Sequence, residues 1–259
     1  MPVIKLLCTD FDGTLIDFLS HRHCAEEFSE VLLYLKRKGG VWAINTGRSF
    51  LHTLAGLEKF QAPVLPDYII TLEREIYHLS PTGEWQDFGD WNLLCRARHQ
   101  EMLTQNEDAL KNICQQLTLQ DEVTLIHEKG VLVGLRTSTE EVMAHVASEL
   151  NWACRDFPEC SYQRNTIYLR FCHIDYHKGS ALAELSRLTN ISRQAVLAVG
   201  DNFNDISMLD GTHAVMCACP ANAIEPVKQT VLSAHGFVAS KDYALGVAEA
   251  VEHFLLRSG

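Results

Sequence analysis

The stretch Leu-Leu-Cys-Thr-Asp-Phe-Asp-Gly-Thr-Leu at residues 6–15 constrains this chain more than any other feature. An apolar run that ends in turn residues predicts a buried strand followed by a loop. Acidic residues at the carboxyl end of such a strand lie where open α/β sheets bind ligands. Asp10 and Asp12 are two residues apart, so on a continuing strand both carboxylates point to the same face. Two carboxylates this close repel each other unless one is protonated or a cation lies between them.

Mg²⁺ is suited to such a place, because it takes few protein carboxylates and keeps positions for water and phosphate oxygens. The alternative is a solvated acidic turn after an edge strand, and this stretch alone leaves the choice between the two readings open.

The composition indicates a globular protein that works on small molecules. The chain has 259 residues, 47% of them hydrophobic and 21% charged, with a formal net charge of -11. An acidic surface disfavours nucleic acid and anionic membranes, so we expect neither as a partner. The nine cysteines form no Cys-x-x-Cys pair, and no apolar run has the length of a membrane span or of a signal core. We therefore expect reduced thiols and a cytoplasmic location.

The first 74 residues alternate between apolar runs and helical patterns, which predicts a parallel sheet with right-handed crossovers. The predicted elements are a strand ending at residue 9, a helix at 24–38, a strand at 41–45, a helix at 49–60 and a strand at 67–71. The second strand runs into Thr46-Gly47-Arg48 before a helix start. Backbone N–H groups at such a place can bind an anion. The Thr46 hydroxyl could equally serve as a helix N-cap.

Residues 75–173 show a different pattern. Hairpins are predicted at 76–79 with 85–88 and at 123–127 with 131–136, helices at 91–117 and 139–150, and a strand at 166–171. This pattern predicts a separate α+β unit inserted into the parallel-sheet domain, which then comprises residues 1–74 and 174–259. The fold class is therefore α/β, a Rossmann-like parallel-sheet core with an inserted α+β cap domain.

The parallel pattern returns with a helix from Lys178 and a strand at 196–199 that ends in the acidic loop of Asp201, Asn204 and Asp205. Together with Asp10, Asp12 and Thr46, these residues lie where a strand or loop leads into a helix. They provide carboxylates, a hydroxyl, an ammonium and an amide. Phosphoryl transfer needs that set: a nucleophile, a metal site and donors for phosphoryl oxygens.

These residues resemble the four motifs of the haloacid dehalogenase superfamily of hydrolases. The motifs are Asp-Phe-Asp-Gly-Thr-Leu at 10–15, Asn-Thr-Gly-Arg at 45–48, Lys-Gly-Ser-Ala-Leu at 178–182 and Gly-Asp-Asn-Phe-Asn-Asp at 200–205. The large insert between the second and third motifs resembles the type IIB-capped branch, which includes the Cof-like and sucrose-phosphate phosphatases. One departure stands out: such proteins usually have an Asn-Gly turn after the third strand, whereas this chain reads Thr-Leu-Glu-Arg-Glu at 71–75.

The resemblance implies a Mg²⁺-dependent phosphatase that acts through an aspartyl-phosphate. Asp10 is then the nucleophile, and Asp12 is the general acid and base. The implied phosphate-binding residues are Thr46, Gly47, Lys178 and Asn204. The implied metal residues are Asp10, Asp12 through its carbonyl, Asp201, and Asp205 through a water or through Lys178.

The resemblance also implies that the cap closes over the core and sets specificity. Polar side chains of the cap and one of the core are the candidate substrate contacts: Arg48, His127, Lys129, Arg136, Arg164 and Asn165. The alternative for each of them is a solvated or sheet-face residue with no role in binding. A small phosphorylated metabolite, such as a sugar phosphate, is the expected substrate. Two alternatives remain: a phosphomutase of the phosphomannomutase kind, and a non-catalytic phosphometabolite-binding protein.

Overall fold

The computed structural model describes residues 4–17, 24–118, 122–128, 130–153, 155, 157 and 159–256. These residues divide into two compact units. The described residues of Met1–Asn92 and Lys178–Gly259 form the first unit, and those of Leu93–His177 form the second. Among all of them, no helix is both long and apolar enough to cross a membrane.

The first unit contains an eight-stranded sheet. Its strands are β1 (Leu6–Thr9), β2 (Val41–Asn45), β3 (Tyr68–Thr71), β4 (Glu75–Leu79), β5 (Trp85–Asp87), β10 (Val196–Val199), β11 (Met216–Cys219) and β12 (Phe237–Val238). The spatial order is β12-β11-β10-β1-β2-β3-β4-β5. All pairs from β12 to β3 are parallel, and β4 and β5 continue the sheet antiparallel. The predicted parallel-sheet core is therefore confirmed.

The helices of this unit cover both faces of the sheet with apolar stripes. They are α1 (Glu26–Arg37), α2 (Phe50–Phe60), α6 (Lys178–Thr189), α7 (Ile206–Leu209), α8 (Glu225–Ser233) and α9 (Tyr243–Leu256). In α1 the buried residues Phe28, Val31, Leu32 and Leu35 lie at helical spacing on one face. They pack with Trp42 of β2 in one core cluster, while α6 and α8 contribute to a second cluster that includes Leu6 of β1.

The second unit is an α+β unit with an antiparallel sheet. Its strands are β6 (Val123–Glu128), β7 (Val131–Thr137), β8 (Cys160–Asn165) and β9 (Tyr168–His173), in the order β6-β7-β9-β8. Its helices are α3 (Trp91–Gln105), α4 (Glu107–Thr118) and α5 (Glu140–Ala153), of which α3 begins in the first unit. The predicted single helix at 91–117 is interrupted at Asn106, whose side-chain amide donates to the Met102 carbonyl.

The inserted unit is shorter than predicted at its N-terminal side. The hairpin of β4 and β5, placed in the cap by its antiparallel pattern, pairs through β4 with β3 and so extends the core sheet. The unit begins at Leu93 rather than at residue 75 and ends at His177 rather than at residue 173. A hairpin pattern predicts that two strands pair with each other, but it leaves open which third strand they join.

Among the β-strands and α-helices that the structure describes, three have no counterpart among the elements predicted from the sequence. They are β8, α8 and the two-residue β12. Strand β11 comprises Met216–Cys219, and all four of its residues are buried. Its two cysteines, Cys217 and Cys219, are buried free thiols, in accord with the reduced thiols expected from the sequence.

Asn92, near the start of α3, forms hydrogen bonds with both strands of the β4–β5 hairpin. Its buried side chain accepts a hydrogen bond from the Ile76 N–H at 2.7 Å and donates to the Ile76 carbonyl at 2.8 Å and to Asp87 at 3.0 Å. The side chain therefore satisfies both backbone groups of Ile76, which is itself fully buried.

We predict that Asn92→Ala lowers the free energy of unfolding by about 2 kcal/mol, because it leaves the buried Ile76 N–H without an acceptor, while the Ile76 carbonyl still accepts from the Phe88 N–H at 3.1 Å. Urea denaturation monitored by circular dichroism measures this. Gln86→Ala, at an exposed position of β5 on the same hairpin, is the control and should change stability by less than about 0.5 kcal/mol. Equal effects of the two substitutions would contradict the prediction.

Candidate active site

The residues predicted for phosphoryl chemistry follow neighbouring strands of the core sheet. Asp10 follows β1, Thr46 follows β2 and Asp201 lies just after β10. Because β10, β1 and β2 are adjacent and parallel, their carboxyl ends meet at one edge of the sheet. The Asp10 N–H donates to the Val199 carbonyl at 2.9 Å, which fixes the start of the first loop against β10.

Lys178, the first residue of α6, links two of the acids. Its Nζ lies 2.9 Å from Asp10 Oδ1 and donates to Asp205 Oδ1 at 2.6 Å. The ammonium is fully buried. Burial alone lowers the pKa of Lys178, but the charges of Asp10 and Asp205 outweigh it and hold the pKa above its ordinary value. Lys178 is therefore a fixed positive charge at the centre of the site.

Asp205 organises the loop after β10. Its Oδ2 accepts hydrogen bonds from the N–H groups of Asp201 and Asn202, both at 2.9 Å, while its Oδ1 receives Lys178. The side chain passes close to Gly200, where a Cβ would lie 2.5 Å from the Asp205 Cβ. A side chain at position 200 would clash with Asp205, so this position requires glycine. Both carboxylate oxygens of Asp205 accept hydrogen bonds.

Asp201 lies against the first loop. The Thr14 hydroxyl donates to Asp201 Oδ1 at 2.6 Å, and a Cβ on Gly13 would lie 2.4 Å from Asp201 Oδ2. Gly13 has φ +83, a conformation that glycine adopts without strain. Burial, reinforced by the nearby charge of Asp205, raises the pKa of Asp201 to about 7. Thr14 and Gly13 therefore contact a buried carboxylate whose negative charge is poorly solvated.

Three of these carboxylates could hold a cation. One oxygen from each of Asp10, Asp201 and Asp205 lies within 4.8 Å of the others, and all three residues are buried. Burial also raises the pKa of Asp10 well above its ordinary value, against the opposing effect of Lys178. Buried carboxylate oxygens this close suit a small divalent cation that prefers oxygen ligands.

Asp12 is paired with Arg48 rather than with Lys178. Arg48 donates from Nε to Asp12 Oδ2 at 2.6 Å and from Nη2 to Asp12 Oδ1 at 2.5 Å, a bidentate ion pair. The guanidinium lies over the Phe11 ring, 4.9 Å from its centroid. Gly56 of helix α2 leaves room for this contact between Arg48 and Phe11. A Cβ at position 56 would lie 2.3 Å from Arg48 Nη1 and 2.7 Å from Phe11 Cε1.

The remaining predicted phosphate ligands lie in the loop of Arg48 and in the loop after β10. The Thr46 hydroxyl accepts from the Arg48 N–H at 3.2 Å, which shapes the Thr-Gly-Arg loop. The buried Asn204 donates from Nδ2 to Glu73 Oε1 at 2.7 Å. A Cβ on Gly47 would lie 3.3 Å from that same Glu73 oxygen. Glu73 was not predicted as a site residue, although its place at the end of β3, on the same sheet edge, is a signal that could have found it.

The predicted cap contacts lie on the antiparallel sheet of the second unit. His127 on β6 and Arg136 on β7 are exposed, and Arg164 and Asn165 on β8 are half-buried. Arg136 and Asn165 are both paired in register with Tyr168 of β9, so they flank it across neighbouring strands. Lys129 lies outside the described residues. The roles of these five residues remain predictions.

Comparison with known proteins identifies the family. The sequence model of the sucrose-6F-phosphate phosphohydrolase family matches residues 3–255. The chain belongs to this family. It is therefore a phosphatase of the haloacid dehalogenase type, as the four motifs indicated.

Full-length relatives and solved structures agree with this assignment. A putative phosphatase of Streptococcus pyogenes is 22% identical over 98% of this chain and 99% of its own length. One from Bacillus subtilis is 23% identical, over 97% and 98%. The sucrose phosphatase of Synechocystis, solved with sucrose and phosphate, has a TM-score of 0.73 at 18% identity and covers 97% of this chain and 98% of its own. A subclass IIB sugar phosphatase has a TM-score of 0.65 at 18% identity, over 96% and 98%. At these identities the two structures establish the fold.

The raised pKa of Asp201 predicts how stability depends on pH in protein freed of divalent cations. Between pH 3.8 and about 7 the folded chain holds a proton on Asp201 that the unfolded chain releases. The free energy of unfolding therefore falls as pH rises through this window. Asp201→Asn removes the titration, so its melting temperature relative to wild type should increase from pH 5 to pH 7.5.

Thermal unfolding in EDTA at several pH values measures this difference. Asp210→Asn, an exposed acid just beyond α7, is the control and should keep a constant difference from wild type. A difference for Asp201→Asn that does not change with pH would contradict the prediction.

Proposed function

We propose that this phosphatase hydrolyses the monoester of a small phosphorylated metabolite, a sugar phosphate, through an aspartyl-phosphate on Asp10. The observation that carries the proposal is the buried ammonium of Lys178 between Asp10 and Asp205, beside Asp201. The family description and the sugar phosphatases among the similar structures support the substrate class.

Asp10 acts as the nucleophile in this proposal. One of its oxygens bonds to phosphorus while the bond from phosphorus to the leaving alcohol oxygen breaks, and Asp12 gives that oxygen a proton. Asp12 then takes a proton from a water that attacks phosphorus, which releases inorganic phosphate and restores the Asp10 carboxylate. The 2.9 Å contact of Asp10 with Lys178 supports this role, because it fixes the direction of the carboxylate.

The donor chemistry fits Mg²⁺ as the cofactor. Asp10 and Asp201 would hold it with their carboxylates and Asp12 with its backbone carbonyl. Asp205 would act mainly through Lys178 and the loop amides, because both of its oxygens accept hydrogen bonds there. Bound Mg²⁺ supplies positive charge that reduces the repulsion between a carboxylate and a phosphate dianion.

Thr46, Gly47, Lys178 and Asn204 are the proposed ligands of the phosphoryl oxygens. Lys178 contributes a charge, and the Gly47 N–H and the Thr46 hydroxyl lie where β2 leads into α2. His127, Lys129, Arg136, Arg164 and Asn165 remain the proposed specificity contacts of the second unit.

Arg48 is proposed to serve both Asp12 and the substrate. In the free protein both Asp12 oxygens accept from Arg48. For Asp12 to exchange a proton with the leaving group, one of these hydrogen bonds must open. The released guanidinium nitrogen is then available to an anionic substrate, which agrees with the predicted substrate contact of Arg48.

Phosphate release from a panel of sugar and other small phosphates, with and without Mg²⁺, tests the proposal. We predict release that needs Mg²⁺ and falls by at least about 10³-fold in Asp10→Asn, because the amide keeps the shape but removes the nucleophilic charge. Asp90→Asn, at an exposed acid that precedes α3, is the control for charge alone.

Other outcomes select the alternatives. Conversion of a sugar 1-phosphate to the 6-phosphate without net release would replace hydrolysis by a mutase reaction. Tight binding of a phosphorylated compound without turnover across the panel would leave a binding protein.

The close approach at Gly56 gives a prediction about Asp12. We expect Gly56→Ala to lower kcat/KM about tenfold or more, because the added methyl displaces Arg48 and Phe11 from their present positions. In an Arg48→Ala background the same substitution should cost much less activity, since the guanidinium is absent. A double-mutant cycle on kcat/KM, with thermal unfolding of each variant, measures this coupling. Additive losses would show that Gly56 does not act through Arg48.

A further inference from the structure

Glu73 occupies a strained turn between β3 and β4. Leu72 and Glu73 both have positive φ, 50° and 64°, in a region that side chains rarely adopt. The turn is held by hydrogen bonds from the Leu72 N–H to the Arg48 carbonyl and from the Glu73 N–H to the Thr46 carbonyl, each at 2.9 Å. A strained backbone that is held in place by a functional loop is a signal of a role in the site.

The Glu73 carboxylate lies among the proposed phosphate ligands. Its Oε1 accepts from Asn204 Nδ2 at 2.7 Å and lies beside Gly47, where a Cβ would be 3.3 Å away. Burial lowers the pKa of Lys178, and the charge of Glu73 acts against burial, after the larger effects of Asp10 and Asp205. Glu73 is 7% exposed, so water screens this charge poorly.

We propose that Glu73 is a specificity-determining residue that competes with the phosphoryl group for Asn204 and the Gly47 loop, and so weakens the binding of phosphate. The inference rests on the proposed function, because it uses the phosphate ligands assigned there. A carboxylate oxygen and a phosphoryl oxygen accept from the same donors, and two anions at one place repel each other. A phosphoryl group that reaches these donors must displace Glu73 or lie against it.

This competition acts on the free product in particular. A substrate has further contacts with its sugar or other alcohol, whereas inorganic phosphate has only its oxygens. A residue that weakens every contact with the phosphoryl group therefore removes a larger fraction of the binding free energy of inorganic phosphate than of the substrate. Glu73 then raises the concentration of inorganic phosphate that is needed to occupy the site.

Two substitutions separate competition from simple positioning of Asn204. Glu73→Gln keeps the size and an oxygen that can accept from Asn204, but it removes the charge. Glu73→Gly removes the whole side chain and adopts a φ of 64° without penalty. If Glu73 competes, both variants bind phosphate more tightly. If Glu73 only positions Asn204, Glu73→Gln binds as wild type does and Glu73→Gly binds more weakly.

The experiment titrates inorganic phosphate into each variant with saturating Mg²⁺ by isothermal calorimetry, and measures phosphate as an inhibitor of substrate turnover. We expect the Kd and the inhibition constant to fall about tenfold in Glu73→Gln, the size expected for losing a competing charged contact. KM should fall with them, while kcat changes less. Glu75→Gln is the control: this buried acid of the same turn accepts from the Tyr77 hydroxyl and should leave phosphate affinity unchanged.

Unchanged or weaker phosphate binding in a folded Glu73→Gln or Glu73→Gly protein would overturn the inference, as would an equal gain in Glu75→Gln. Thermal unfolding establishes folding, and Glu73→Gly provides the test if Glu73→Gln does not fold. Calorimetry does not depend on turnover, so the two proposals fail separately. Absence of hydrolysis with the expected binding change would reject only the proposed reaction, and hydrolysis without the binding change would reject only the role of Glu73.

Discussion

The buried ammonium of Lys178 is the constraint on which the rest of the site depends. An uncompensated buried charge is costly, so the fold must bring Asp10 and Asp205 to it from two different loops. The start of α6 is fixed accordingly: Asn45 of β2 donates to the Lys178 carbonyl at 3.0 Å. Gly179 allows the helix to approach α7, where a Cβ would lie 2.2 Å from the Ser207 carbonyl oxygen. The Lys-Gly pair is therefore a packing requirement as well as a chemical one.

The sequence predicts which residues meet at the edge of the sheet, because one rule of sheet geometry places them there. Once Asp10, Thr46 and Asp201 are assigned to the ends of buried strands, parallel neighbours bring them to the same edge. The ion pair of Asp12 with Arg48 does not follow from this rule. It depends on the Phe11 ring below the guanidinium and on the space left at Gly56, which lies on the helix after the loop. Side-chain packing determines such a contact, and the periodicity of strands and helices in the sequence does not predict it.

The place of the β4–β5 hairpin in the core sheet and the residue Glu73 were not predicted, for related reasons. The antiparallel hairpin pattern after β3 indicated a new unit, but the first strand of that hairpin, β4, pairs with β3 itself. The connection is consequently a tight turn in the core rather than a hinge between units. Its sequence, without the usual Asn-Gly, then has a local reason: the turn carries a side chain that reaches Asn204. A departure from an expected turn is informative when the new residue is charged and follows a strand of the site.

The charge balance of the first unit links its features. Asp10, Asp201, Asp205 and Glu73 are all buried, and Lys178 contacts two of them. A phosphate dianion added to this arrangement meets net negative charge in a medium that screens it weakly. Binding of the anion and of a divalent cation must then be strongly coupled, because each supplies the charge that the other lacks. On the role proposed for Glu73, its carboxylate adds to this negative charge, and the binding of phosphate then depends more strongly on a bound cation.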